Sequence, residues 1–196
     1  MSKPQIKIGG VEYPMTEVNK TLNALGRQWR KNARISLKMQ GRINTGKLYD
    51  SMPVTVGEDK DGYFVNITPQ VDYWAYVDKG VQGASRNEFP KQSESPFKFG
   101  SGRGGSGLRA AIDRWTVQKN IEGTRDEKGR FTPRKSVVFL ISRAIWNRGL
   151  KPSLFITGTR ERLQKKAVMK ISKALGKDIA NALRLNLKLD KNLDVK

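Results

Sequence analysis

Six apolar residues, Val18, Leu22, Leu25, Trp29, Ala33 and Leu37, follow one another at intervals of four, three, four, four and four. An α-helix, at about 3.6 residues per turn, places such a series on one side of the chain. The series predicts one amphipathic helix with Thr16 as its N-cap, Glu17 in its first turn, an end near Gln40 and a stop at Gly41. A helix this long cannot bury its stripe alone. Leu163, Ala167, Ile171, Ala174, Leu175, Ile179 and Ala182 form a second stripe, in a helix predicted to start near Thr159.

Elsewhere the period changes. Ile6 and Ile8, then Gly9-Gly10, then Val11 and Tyr13 read as a β-hairpin. Leu48 to Val56 and Tyr63 to Thr68 read as two more strands, joined through a loop whose Asp61-Gly62 pair is a hairpin signal; Pro69 ends the second. Asp72 to Asp78 is an aromatic-rich short helix stopped by Gly80, and Leu108, Ala111, Ile112 and Trp115 mark another helix. Val137 to Trp146 is a third, with Ser136 as its candidate cap. At the end of the chain Leu183, Leu185, Leu187 and Leu189 alternate with Arg184, Asn186 and Lys188, a strand pattern that would join the central hairpin or a neighbouring subunit's edge.

The fold class expected is therefore α+β: a small antiparallel sheet packed against a long N-terminal helix and a long C-terminal helix, with a long flexible insertion. Residues 14–80 and 136–190 are expected to form the compact core of a single domain spanning 1–196. The stretch 81–134 begins rich in Gly, Ser, Lys and Arg and is expected to be an extended arm or insertion.

Composition narrows the chemistry. The chain has no His and no Cys, which excludes a His general base, a Ser-His-Asp or Cys-His nucleophile, a Cys/His zinc site and any disulfide. A carboxylate-held magnesium or calcium and a Lys nucleophile stay open. Lys plus Arg number 38 against 18 Asp plus Glu, a formal charge of +20, so the surface favours an acidic partner: nucleic acid, an acidic protein or a headgroup layer. The opening residues, Met-Ser-Lys-Pro-Gln, lack the apolar core of a secretory signal, and no apolar run approaches membrane-span length. The expectation is a chain made and folded in a cytosol, with no membrane partner.

Three local motifs read better as ordinary structure than as chemistry. Gly41-Arg-Ile-Asn-Thr-Gly46-Lys47 fits seven positions of a phosphate-binding loop, but Leu48 replaces the magnesium-holding hydroxyl and the segment follows a helix rather than a strand. Gly100-Ser-Gly-Arg-Gly-Gly105 matches G-x-G-x-x-G without a βαβ unit around it. Asp126-Glu-Lys128 has the D-x-K form of some nucleases, yet no apolar strand stands there to fix a metal. No catalytic residue, cofactor-binding residue or metal ligand is assigned, no cofactor is expected, and the chain is read as a non-enzyme.

Two basic stripes carry more weight. Arg27, Lys31, Arg34 and Lys38 share one helix face, and so do Lys166, Lys170, Lys173 and Lys177. Like charges at this spacing destabilise an isolated helix by about 0.2–0.5 kcal/mol per pair, and a polyanion alongside offsets that repulsion. Of the two, Arg27, Lys31, Arg34 and Lys38 are expected to contact DNA or an acidic partner.

Three segments together carry a family likeness. They are Val71-Asp-Tyr-Trp-Ala-Tyr-Val-Asp-Lys-Gly80; Ser95-Pro-Phe-Lys-Phe-Gly-Ser-Gly102 leading to Leu108–Trp115; and Arg134 to Trp146 running into Gly149-Leu-Lys-Pro-Ser-Leu-Phe155. With Thr45-Gly46-Lys-Leu48-Tyr-Asp-Ser51 after the first helix, the sequence resembles the tailed-bacteriophage neck and tail-completion (head–tail joining) proteins. The resemblance spans most of 14–185, and departs from the family in a longer 81–134 insertion and in Lys151, where the family has Arg. It implies a structural virion protein at the head–tail junction, assembled in the host cytoplasm as a homo-oligomeric ring of six or twelve subunits. Such a ring surrounds the channel for genomic DNA and meets adjacent neck, connector or tail proteins. Tyr73, Trp74, Tyr76 and Phe155 are then the expected subunit interface, some of the aromatics packing under the sheet and others against a neighbour. A sequence-independent nucleic-acid-binding protein is the alternative.

Overall fold

The structure, a computed structural model, describes residues 4–60, 62–100, 106–121, 123, 125 and 127–193. The fold is α+β, with small two-stranded antiparallel sheets and a long helix near each end. By internal contacts the chain divides into two compact units, Met1–Trp74 with Leu154–Lys196, and Ala75–Ser153.

The first unit opens with strands β1 (Gln5–Ile8) and β2 (Val11–Pro14), paired antiparallel around Gly9-Gly10. Helix α1 (Thr16–Met39) follows, and all six residues of its predicted stripe are buried. A short helix α2 (Lys47–Asp50) leads to the hairpin β3 (Val54–Asp59) and β4 (Gly62–Ile67). Helix α6 (Thr157–Leu193) returns to pack on α1 and β1. Met15, Val18, Leu22 and Ala174 form the centre of the core, with Ile6, Val56, Tyr63, Val65, Ile171 and Leu175 against it.

Three details of this unit depart from the sequence reading. Thr16 is not the cap of α1: Met15 flanks the helix and no side chain of that segment bonds its free amides. The Asp178 carboxylate of α6 does so instead, accepting from the Glu17 N–H (3.0 Å) and the Val18 N–H (2.8 Å). A carboxylate there satisfies two orphan donors and also suits the positive end of the helix dipole. Leu48 lies in α2 rather than in a strand, since Gly46 in a left-handed conformation (φ 81°) starts a helical turn, and β3 begins only after Pro53.

The third correction is the late strand, which does not exist: residues 183–189 continue α6. Their alternation is built from Leu, Arg, Asn and Lys, none of them β-branched, and extending a formed helix adds a hydrogen bond for each residue fixed. Asn186 anchors this stretch by donating from Nδ2 to the Ile8 carbonyl (3.2 Å). Leu183, Leu185 and Leu187 stay exposed.

Gly26, inside α1, is explained by a close crossing. A Cβ there would strike the Val54 Cγ1 methyl of β3, so the helix gives up about 1 kcal/mol of propensity and gains contact with the hairpin. Trp29, one turn on, is buried and donates its indole N–H to the Ile156 carbonyl and the Thr159 hydroxyl, each at 3.1 Å.

The second unit takes most of α3 (Trp74–Lys79), then β5 (Val81–Gln82), a 3₁₀ turn at Gln92–Glu94, α4 (Ser106–Gln118), α5 (Arg134–Arg148) and β6 (Gly149–Leu150). Helix α5 starts two residues before the expected cap, with Pro133 as its flanking residue, so Ser136 lies within its first turn. Residues 82–99, part of the segment expected to be an arm, are well tied. Gln82 donates its N–H to the Phe97 carbonyl (2.8 Å) and accepts from the Phe99 N–H (3.0 Å), while Gln92 and Ser95 are buried.

At the centre of this unit the Gln92 amide uses every valence it has. Its Oε1 accepts from the Glu88 and Phe89 N–H groups (3.0 and 3.1 Å), and its Nε2 donates to the Val81 and Arg148 carbonyls (2.8 and 2.7 Å). Gly149 lies against it at φ 78°, where a Cβ would collide with Gln92 Nε2 and the Val81 carbonyl.

Candidate nucleic-acid interface

The residues expected to meet a polyanion separate by environment. Arg27, Lys31 and Lys38 are exposed on α1. Arg34 is half-buried and committed: its Nε donates to the Tyr49 carbonyl (2.9 Å) and its guanidinium lies over the Tyr49 ring, 4.8 Å from the centroid. It fastens the segment after α1, which leaves the stripe three solvent-facing cations rather than four.

The lysine stripe of α6 is exposed throughout, and Lys166, Lys170, Lys173 and Lys177 make no ion pair among the described residues. Three of them line a groove of about 320 Å³ between α6 and α1, with Ala174 beside them and Glu17, Thr21, Ala24, Leu25 and Gln28 opposite. Arg27 and Lys31 stand one row further round α1 from Ala24 and Gln28. The α6 stripe therefore borders a groove of the first unit, whereas Arg27 and Lys31 lie outside its lining.

One acid stands at the groove's end. The Glu17 carboxylate accepts from Lys20 Nζ at 2.8 Å, and that bond and charge, with Lys177 adding a smaller effect, hold its pKa below the ordinary value. Asp178 is buried and spent on the α1 amides. The lining has no aromatic ring and no arginine fork, so it has nothing on which a base would stack. Such a site can hold phosphates as point charges.

The expected interface residues also divide. Phe155 is completely buried in the first unit and is a core residue, so it offers no surface to a neighbour. Tyr73 and Tyr76 are both 45% exposed, Tyr76 with its ring centroid 4.3 Å from that of Phe97, and Trp74 is half-buried.

The parts of the three likeness segments that belong to the second unit meet there. The Val77 carbonyl accepts from the Ser153 N–H (3.1 Å) and hydroxyl (2.7 Å), the Gly80 carbonyl accepts from Ser95 Oγ (2.7 Å), and Val81 pairs with Leu150. Sequence reasoning missed Gln92, which holds this junction. A lone Gln in a polar stretch carries no periodic signal.

The remaining motifs hold little. Lys47, last residue of the phosphate-loop match, is exposed and opens α2 just after α1, with no strand before it. Residues 101–105 of the glycine motif and Asp126 of the D-x-K motif lie outside the described residues. Among the described residues no three acidic side chains gather where a metal ion could be held, and no helix is long and apolar enough to cross a membrane. Comparison with known proteins finds no matching family model, no curated relative and no similar solved structure.

Proposed function

We propose that this chain is a structural protein of the tailed-phage neck, serving head–tail joining or tail completion as a subunit of a ring around the DNA channel, and that it is not an enzyme. The observation that carries the reading is that the three likeness segments meet within the second unit, the Gly80 carbonyl accepting from Ser95 Oγ and the Val77 carbonyl from Ser153. Segments separated by tens of residues share a likeness and also share a place in the fold, as expected if they form one functional module. Exposed Tyr76 in that unit suits a contact between subunits, because aromatic residues are enriched at interfaces. Electron microscopy of the purified protein and of virions tests the proposal. Uniform rings, and the same ring at the head–tail vertex, are the expected result; magnesium-dependent cleavage of DNA by the pure protein overturns it. Trp74→Ala is expected to impair ring assembly, and intact rings with full infectivity remove the aromatic segment from the interface.

A second reading, a sequence-independent nucleic-acid-binding protein, draws on the groove lined by the α6 lysines. It predicts duplex binding by single subunits, with no ring.

A further inference from the structure

We infer that the groove between α1 and α6 is a phosphate-backbone site for duplex nucleic acid, with Lys170, Lys173 and Lys177 as its basic bank. The inference deepens the reading above by naming a site for its DNA partner, and it moves the main contact from the α1 stripe to α6. From 170 to 177 a helix rises about 10 Å, the length of roughly three base-pair steps of a duplex. Three ammonium groups along that length, none engaged in an ion pair among the described residues, are matched to successive phosphates.

Depth and chemistry agree with this occupant. Leu25 and Ala174 are buried in the groove, and the small side chain of Ala24 keeps the α1 bank low. Thr21 and Gln28 add neutral polar side chains. The lining lacks aromatic platforms for unstacked bases, which points away from single strands. It also lacks an arginine fork for a guanine edge, which leaves backbone contact without sequence preference. The Glu17 carboxylate at the Lys177 end opposes an anion there, so the grip is strongest toward Lys170.

Duplex binding by the full-length chain, followed by fluorescence anisotropy with two labelled duplexes of unrelated sequence across a salt series, tests the site. Both duplexes are expected to bind equally. The combined variant Lys170→Gln, Lys173→Gln, Lys177→Gln is expected to reduce the salt slope by about 2.7, so that its deficit relative to the wild type shrinks about 40-fold between 50 and 200 mM salt. A control of equal charge loss, Lys47→Gln, Lys165→Gln, Lys188→Gln, is expected to keep most of the slope, and Glu17→Gln to bind more tightly than the wild type. Circular dichroism of each variant establishes that it is folded. Equal losses in the two combined variants, no duplex binding at low salt, or tighter binding to polyglutamate than to duplex would each overturn the site. Ring formation, imaged on the same variants, separates the two readings: rings that persist without duplex binding overturn the groove alone, and duplex binding without rings overturns the neck assignment alone.

Discussion

The two units are held together by different chemistry. Among the described residues, every buried apolar side chain except Val81, Val138 and Pro152 belongs to the first unit, where α1, α6 and the β3–β4 hairpin share a core. Of the buried polar residues, Asp78, Gln92, Ser95, Thr116, Ser142 and Ser153 belong to the second, and only Thr159 and Asp178 to the first. Apolar burial is non-directional and stabilises in proportion to area, at about 25 cal/mol per Å². A buried hydrogen-bond network adds only about 1 kcal/mol net per bond, yet costs about 1–3 kcal/mol for each partner left unpaired. The first unit should therefore lose stability in proportion to volume removed, and the second should fail where a single donor or acceptor is lost.

Trp29→Ala gives the largest expected effect. It removes a buried indole and two hydrogen bonds, and should cost about 4–5 kcal/mol in urea unfolding. Gln92→Ala should cost about 3 kcal/mol although it removes much less apolar surface, because Val81, Glu88, Phe89 and Arg148 all lose a partner. Native-state amide exchange sharpens the comparison. Gln92→Ala is expected to weaken protection across β5, β6 and residues 88–99 while α1 keeps its own. Equal loss of protection in α1 breaks the distinction between the units.

Asp178→Ala tests the polar exception inside the apolar unit. Without the carboxylate, the Glu17 and Val18 amides lose their acceptor, at an expected cost of about 2 kcal/mol, whereas Thr16→Ala should change stability by about 0.5 kcal/mol or less. If Thr16→Ala proves the more costly, the cap belongs to the local sequence after all. The smallest effect concerns the Glu17–Lys20 pair. A depressed carboxylate pKa adds stability above the unfolded-state value and loses it as pH falls through the folded one. Lys20→Ala should therefore raise the Glu17 titration midpoint seen by NMR and flatten the acid limb of the stability profile, without disturbing α1.

Both long helices, the first hairpin and the β3–β4 pairing were legible in the sequence because each follows from a repeat: 3.6 residues for Val18 to Leu37 and 2 for the strands, with Gly9-Gly10 and Gly62 at the turns. Periodicity failed at Leu183–Leu189. An alternation of two is only half of a strand; a free edge must receive it, and here α6 simply continued. The charge was legible as well, and so were two basic faces, but not which cations remain free. Arg34 is fastened by Tyr49, and nothing in the spacing of the stripe distinguishes it from Lys31.

Sequence alone determined the α+β class, the two long amphipathic helices, and the absence of His and Cys chemistry, because each depends on residue type and spacing along the chain. Tertiary structure alone decided three other things. It set Asp178 on amides some 160 residues away, filled all four hydrogen-bond positions of Gln92 with main-chain partners, and set three lysines of the α6 stripe along a groove against α1. These depend on which distant backbone groups remain unpaired after the helices have packed. A residue's neighbours in sequence carry no record of that, since a hydrogen bond or a shared electrostatic surface is fixed by distance in space.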